Sequence, residues 1–538
     1  MKTFSGNIVN LFDDAVFFGT LSVHEGRIFD IKRTGEEDPA YPYFLPGFVD
    51  AHVHIESSLL APGQFGRMAV VHGTVATVSD PHEIANVVGV QGVNYMIENG
   101  ESIPFKFFFG APSCVPATGF ETAGAEVTVQ DIDRLLADER VLYLAEMMNF
   151  PGVIHQDPLV MEKLAIARKH RKPVDGHAPG LRHGQASAYF AQGISTDHEC
   201  FTREEAEEKL TLGVKILIRE GSAARNFDAL IPLAVQHAGQ MMFCSDDKHP
   251  DELLTGHINL LVKRAIAAGV DRFAAFRMAS VNPVRHYNLP VGLLREGEWA
   301  DFIEVDNLDS LTVLATYING EKVAENGKTL IPSVEPELIN RFAAEPVSEK
   351  DLTVNFPADA TQIRVIQALD GQLITEKHIA SVTDPGKEDI LKIVVYNRYS
   401  RASPAIAYIR GFGLKQGALA SSVAHDSHNI VATGTDDKSI AEAINLVVKE
   451  KGGLSAVSRD KKIVLPLPIA GLMSPKDGYQ VAEDYIKIDR FTREVLESGL
   501  RSPFMTLSFM ALLVIPSLKL SDKGLFDGDK FEFTNVAF

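Results

Sequence analysis

The 538-residue sequence predicts an α/β chain: a (β/α)8 barrel at its centre, a small β domain built from both sides of the barrel, and a C-terminal α+β domain. Three observations predict it. Eight short apolar runs recur from residue 46 onward, separated by stretches long enough for a helix, the rhythm of parallel βα units. The segments flanking these runs alternate apolar and polar residues around turn signals, as antiparallel strands do. Most of the runs end on ionisable residues, and a parallel barrel gathers its strand C-termini on one face.

Residues 1–45, with "IVNLFDDAVFFGTLSVHEGRIFDIKR", read as a few short strands. The eight runs follow: "GFVDAHVHI", "TVATVSD", "FKFFFGAP", "VLYLAEM", "PVDGHA", "ISTDHEC", "KILIREG" and "MMFCSDD". Helices between them include "DPLVMEKLAIARKHR" and "TREEAEEKLTLG", where Thr202 and Glu205 have the spacing of a capping box. "DELLTGHINLLVKRAIAAG" is helical after the eighth run, and "VGLLREGEWADFIEVDNLDSLTVLATYINGEKV" returns to strands that pair with the N-terminal ones. The expected units are a small β-sandwich-like domain from 1–45 and 295–345, a barrel over 46–294 and a third domain over 350–538.

Apolar residues at 45% and charged residues at 23% are the profile of a soluble globular protein, and the length calls for two or three domains. A net charge of -19 disfavours nucleic acid as a partner, because phosphate neutralisation needs clustered Lys and Arg. Cys114, Cys200 and Cys244 lie far apart and form neither a thiolate zinc motif nor a disulfide framework, which fits a reducing compartment. "MKTFSGNIVNLF" lacks the apolar core of a signal peptide, and "FMALLVIPSL" is too short to span a bilayer. A cytoplasmic protein with no membrane partner is expected.

The chemistry lies at the run ends. Run one places Asp50, His52, His54 and Glu56 on alternate positions, which share one face of a strand. Run two leads into Asp80, His82 and Glu83, run four ends at Glu146, run five at His177, and run six at Asp197, His198 and Glu199. Run seven ends at Arg219 and Glu220, and run eight at Asp246 and Asp247; run three offers only Cys114. A lone histidine at a strand end is ordinarily a hydrogen-bonded or surface residue. Six groups in barrel order are a different matter: His52, His54, Glu146, His177, His198 and Asp246 form a ligand set for a pair of divalent ions. Four imidazoles and two carboxylates select zinc, iron or manganese rather than calcium. Glu146 has two oxygens with which to bridge the ions, and a water held between them becomes a hydroxide nucleophile near neutral pH. Asp246 then takes the attacking water's proton and passes it to the leaving group. The reaction class is metal-assisted hydrolysis at an electrophilic carbon.

These residues make the sequence resemble the amidohydrolase superfamily, as do "PGFVDAHVH" after a small β domain and "VGLLREGEWADFIEVD" after the barrel. The likeness narrows to the bacterial-type adenine deaminase family through "HIESSLLAP", "SDPHEIANVVG", "LAEMMNFPGV", "DGHAPGL", "IREGSAARN", "SVAHDSHNIVATG", "LPLPIAGLMS" and "GLFDG". The resemblance implies conversion of adenine to hypoxanthine and ammonia in purine salvage or catabolism, at a binuclear centre favouring manganese or iron, in a homodimer. It makes the same six residues the ligands. Two departures from better-known relatives stand out. "LYLAEMM" has no lysine to carbamylate, so Glu146 must bridge, and "HAPG" puts Gly180 where adenosine-deaminase-type enzymes carry a proton-donating Glu.

Hydroxide attack at purine C6 pushes charge onto N1, so an acid is still required. Glu220 is slightly favoured over Glu199, and Glu83 is the third candidate; each also reads as a loop salt bridge. "HDSHN" places His425, Asp426 and His428 in a Gly- and Ser-rich setting, to touch the base, hold a separate metal or cap a turn. Gly221 and Ser222 are candidate backbone contacts to the base, and Arg225 a structural ion pair. Cyclic-amide hydrolysis or deacetylation on the same centre is the enzymatic alternative, and a barrel whose metals serve folding or partner binding is the non-enzymatic one. The H-x-E and P-C-x-x-C signature of nucleic-acid deaminases is absent.

Overall fold

The computed structural model describes residues 1–538. The eight apolar runs form eight short parallel strands: β1 (Phe48–Val53), β2 (Thr74–Ser79), β3 (Lys106–Ala111), β4 (Val141–Met147), β5 (Val174–Gly176), β6 (Thr196–Asp197), β7 (Lys215–Arg219) and β8 (Met241–Cys244). β1 to β5 hydrogen-bond in that order, as do β6 to β8. Parallel bridges between Val174 and Ile194 and between Val53 and Asp246 join the two groups into a closed barrel. Most positions of these strands are buried on both faces, which is why the runs are nearly continuous in apolar residues rather than alternating.

Local chemistry sets the connecting helices. Asp157 caps helix Pro158–His170 by accepting from the amides of Leu159 and Val160. Thr202 caps helix Arg203–Thr211 by accepting from Glu205 N. The reciprocal half of that capping box does not form: the Glu205 carboxylate accepts instead from Lys209 Nζ at 2.7 Å and Gly180 N at 2.9 Å. Lys209 also reaches Asp197 at 2.6 Å and Ala178 O at 2.7 Å, so this buried lysine ties the loop that follows β5 to the end of β6. "DELLTGHINLLVKRAIAAG" divides into Pro250–Thr255 and Ile258–Ala267. The break turns His257 inward, where it meets Thr74 Oγ1 at 2.8 Å and Asp50 at 2.9 Å.

Both flanks of the barrel contribute to one eight-stranded sheet. Strands Lys2–Asn10, Ala15–His24 and Arg27–Glu36 form a meander, and Tyr43–Pro46 pairs antiparallel with Phe302–Val305 from the far side of the barrel. In the C-terminal region a second eight-stranded sheet, built from Gln362–Ala368 through Lys462–Pro466, packs against helix Asp437–Lys449. Helices Gly478–Glu494 and Pro503–Phe509 and a three-stranded sheet complete this region. One continuous apolar core runs through the barrel and the C-terminal region, and Arg67 pairs with Asp477 at 2.5 Å across their junction. The expected fold class is thus the observed one. No helix is long and apolar enough to cross a membrane, and all three cysteines are free and buried.

Candidate active site

The barrel seam brings the first and last strands together at their C-terminal ends. His54 N donates to Asp246 O at 3.2 Å, and Asp246 N donates to His52 O at 3.0 Å. The side chains of His52, His54 and Asp246 therefore converge: Asp246 Oδ1 lies 3.4 Å from His52 Nε2 and 3.3 Å from His54 Nε2. Glu146, at the end of β4, faces both halves of the cluster. Its Oε1 is 3.3 Å from His54 Nε2, while its Oε2 is 2.8 Å from His177 Nδ1 and 3.2 Å from His198 Nε2. All six expected ligands are buried in one place.

Protons alone serve this arrangement poorly. His52 Nε2 and His54 Nε2 face each other at 3.2 Å, and at most one of two neutral imidazoles can donate there. Lone pairs from the ends of five strands turned toward one another in a buried space are what divalent cations coordinate. The groups His52, His54, Asp246 and His52, Glu146, His198 each place their donor atoms close enough to share an ion. The donor set fits zinc, iron or manganese.

Arg219 is the cation that balances the carboxylates. It is 1% exposed, donates to Asp246 Oδ2 at 2.6 Å and to Glu199 Oε2 at 3.0 Å, and makes a second contact with Glu199 through Nη1. Burial would raise the Glu199 carboxyl, but Arg219 and the imidazoles of His177 and His198 outweigh it and hold it at about 2. Burial acts on Asp246 in the same sense, and Arg219 with His52 and His54 holds it well below the usual carboxylate range.

A cavity of about 30 Å³ sits over this cluster. Its floor is the strand ends; its roof is Leu373, Phe509, Leu512, Val514 and Ile515 from the C-terminal region. Glu83 and His425 line it from opposite domains. The Glu83 carboxylate is clamped by His425 Nδ1 and His428 Nε2, one on each oxygen. Burial opposes this charge, but His425, His428 and His82 lower Glu83 well below its ordinary range. Burial would lower His425 too, yet Glu83 and Asp247 hold it at about 9, whereas at His428 burial prevails and the ring is lowered. A vestibule of about 730 Å³ opens beside the cavity and shares Met148, Glu199, Leu373, Val514 and Ile515 with it.

Two expected site residues lie elsewhere. Glu220 follows Arg219, and successive strand residues point to opposite sides. With Arg219 turned into the barrel, the Glu220 carboxylate pairs at 2.5 Å with Arg264 on helix Ile258–Ala267, outside the cavity. Ser222 is spent on its own loop: its hydroxyl accepts from His249 N at 2.9 Å and its amide donates to Asp247 O at 2.7 Å. Arg225 makes an ion pair with Glu252 at 2.5 Å. Of the four polar residues of run one, only the two histidines join the cluster. Asp50 supports it from below, accepting from Ser245 N at 3.0 Å, and the Glu56 carboxylate accepts from Ile84 N at 3.1 Å.

Other residues join the cavity without having been assigned roles from sequence. His82 Nδ1 lies 3.4 Å from Glu146 Oε1 and 3.2 Å from Asp80 Oδ2, and Asp247 lines the cavity while accepting from Ser57 Oγ at 2.5 Å. "SDPHE" and "SDD" flagged these positions as run ends, but only geometry separates a ligand from its neighbour. The roof carried no local signal beyond its hydrophobicity.

Residues 43–323 match the amidohydrolase family model, and residues 367–532 match the model described as the adenine deaminase C-terminal domain. The chain is 54% identical to a protein named adenine deaminase from Sulfurovum sp. (strain NBC37-1), over 98% of each chain. It is likewise 54% identical to an adenine deaminase from Salinibacter ruber, over 99% of this chain and 98% of that one. An adenine deaminase from Methanosarcina mazei is 50% identical, covering 100% of this chain and 99% of its own.

Proposed function

We propose, from the premise that this chain belongs to the adenine deaminase family of amidohydrolases, that it hydrolyses adenine to hypoxanthine and ammonia. The observation that carries the reading is near-complete coverage of relatives of that name, together with the C-terminal family domain. The Glu146-centred cluster supplies the chemistry such a reaction needs. Neither cyclic-amide hydrolysis nor deacetylation has comparable support.

His52, His54, Glu146, His177, His198 and Asp246 would hold two divalent cations. Bound there, such a pair supplies Lewis acidity and brings the ionisation of water close to neutral pH. We favour manganese, as the resemblance to adenine deaminases implies, with iron or zinc as alternatives; a donor set of imidazole and carboxylate without thiolate fits all three. Asp246 accepts the proton of the attacking water and delivers it to N6, which leaves as ammonia. Arg219, fixed between Asp246 and Glu199, keeps Asp246 oriented and ionised for that exchange. Leu373, Phe509, Leu512, Val514 and Ile515 present an apolar surface to the purine and exclude water. None of the carboxylates considered for the ring nitrogen is free to donate: both Glu83 oxygens are taken by His425 and His428, which with His82 hold it well below its ordinary range. Glu199 is occupied by Arg219, and Glu220 faces away from the cavity.

The resemblance to adenine deaminases further suggests a cytoplasmic homodimer acting in purine salvage or catabolism. Size-exclusion chromatography with light scattering tests the dimer. Function is tested by counting ions in protein grown with manganese and following the loss of adenine absorbance before and after chelation. Two ions per chain and chelator-sensitive turnover are expected. An ion-loaded chain that leaves adenine untouched sinks the reading.

A further inference from the structure

Glu83, His425 and His428 place their donor atoms within reach of a common ion, which makes them a candidate third metal site. The hydrogen bonding points elsewhere. Ala424 N donates to His428 Nδ1 at 3.2 Å, so Nδ1 is an acceptor and the ring proton sits on Nε2. That Nε2–H is directed at Glu83 Oε2. Coordination would need the Nε2 lone pair and a proton on Nδ1, facing another N–H. His428 therefore acts as a hydrogen-bond donor that fixes one oxygen of Glu83.

The other Glu83 oxygen then accepts from His425 Nδ1–H. This leaves His425 Nε2 as the free end of a carboxylate–imidazole pair. It is buried and has no hydrogen-bond partner, on a ring that lines the cavity. A buried polar atom without a partner is costly, and in a substrate cavity the natural partner is the substrate. The ring is also held in plane: Phe509 stacks on it at 4.6 Å with an interplanar angle of 18°. Orientation by a carboxylate behind, a stacked ring beside and an open Nε2 ahead is the arrangement of a general acid–base histidine.

We infer that His425 of the C-terminal region is a catalytic residue that donates its Nε2 proton to the purine ring nitrogen next to C6, with Glu83 and His428 as its positioning residues. This rests on the adenine-hydrolysing reading above. The step balances. As the water oxygen bonds to C6, N1 takes the proton from His425 Nε2 and Asp246 takes one from the water. As the C6–N6 bond breaks, Asp246 returns its proton to the departing nitrogen, which leaves as ammonia. The proton on the new C6 hydroxyl goes back to His425 Nε2 as the carbonyl forms. The acid that "HAPG" lacks at Gly180 is thus supplied from the other domain.

The test uses the full-length, manganese-loaded chain and its His425→Ala and His425→Gln variants, with folding checked by circular dichroism and ions counted. Both variants should keep two ions per chain. His425→Ala should lose about 100-fold or more in kcat on adenine, within the usual contribution of a general acid. Added imidazole should restore it at least about tenfold, saturably, because a free acid can enter the space left behind. His425→Gln should show the same kcat loss with a KM within about threefold and no response to imidazole. The inference is overturned if His425→Ala stays within threefold of the parent, if either variant loses an ion, if the parent binds a third ion, or if activity is lost and imidazole restores none of it. A parent chain inert toward adenine, with its ions bound, convicts the functional reading instead.

Discussion

Lys519 gives the strongest test of how the roof is held. Its side chain is fully buried, and its amine reaches no carboxylate, donating only to Leu373 O at 2.7 Å and Phe509 O at 2.9 Å. Both acceptors belong to residues that line the cavity. Burial lowers this amine from 10.5 to about 7. Below pH 7 folded and unfolded chains both carry the proton, and the full cost of burying the charge is present. Between about 7 and 10.5 only the unfolded chain carries it, so stability rises with pH. At 1.36 kcal/mol per pH unit, that interval corresponds to about 5 kcal/mol. Lys519→Met conserves most of the volume and removes the titration, but leaves two carbonyls short of a donor, at about 1–3 kcal/mol each. The variant should therefore match the parent near pH 6.5 and fall behind it steadily as the pH approaches 10. The assay is urea unfolding of both ion-loaded proteins at four pH values, read as the difference between them so that shared titrations cancel. A difference that stays constant within about 1 kcal/mol across the range refutes the buried, unpaired amine.

Four further outcomes are expected. Glu146→Ala should lose at least one divalent ion by metal analysis and nearly all turnover, because this carboxylate alone faces both imidazole pairs. Glu220→Gln should keep kcat/KM within about twofold, since this side chain faces Arg264 outside the cavity and touches none of the clustered residues. Arg219→Met strands two buried carboxylates and should destabilise the chain by about 3–5 kcal/mol, read in thermal unfolding. Val514→Trp, at the wall shared by vestibule and cavity, should cut kcat/KM for adenine about tenfold with both ions retained, equivalent to about 1.4 kcal/mol of barrier.

The barrel and the convergence of His52, His54, Glu146, His177, His198 and Asp246 were legible because both are written in local pattern. Each strand is a short apolar run, and closure forces residues almost 200 positions apart, such as His52 and Asp246, onto one rim. Parity was harder to read. Arg219 and Glu220 are adjacent, either could face inward, and only the register of β7 against β8, with Arg219 opposite Cys244, decides it. Ser222 looked available because a sequence does not display the backbone bonds that occupy it. The roof was the least legible part. "FMALLVIPSL" is an apolar stretch of unremarkable composition, and its placement over the barrel depends on packing between two separately patterned regions. "HDSHN" and "DPHE" were each visible, but their contact spans 342 positions between Glu83 and His425, a distance no local pattern encodes.

The roof has a consequence for the life of the chain on the ribosome. The strand ends and their six clustered residues are all synthesised by residue 246, yet the roof begins with Leu373 and is complete only with residues 509–515. At about 5–20 residues per second, roughly 10–50 seconds separate the synthesis of the floor from that of the completed roof. The floor and the roof of the pocket are thereby separated in time by the order of translation itself.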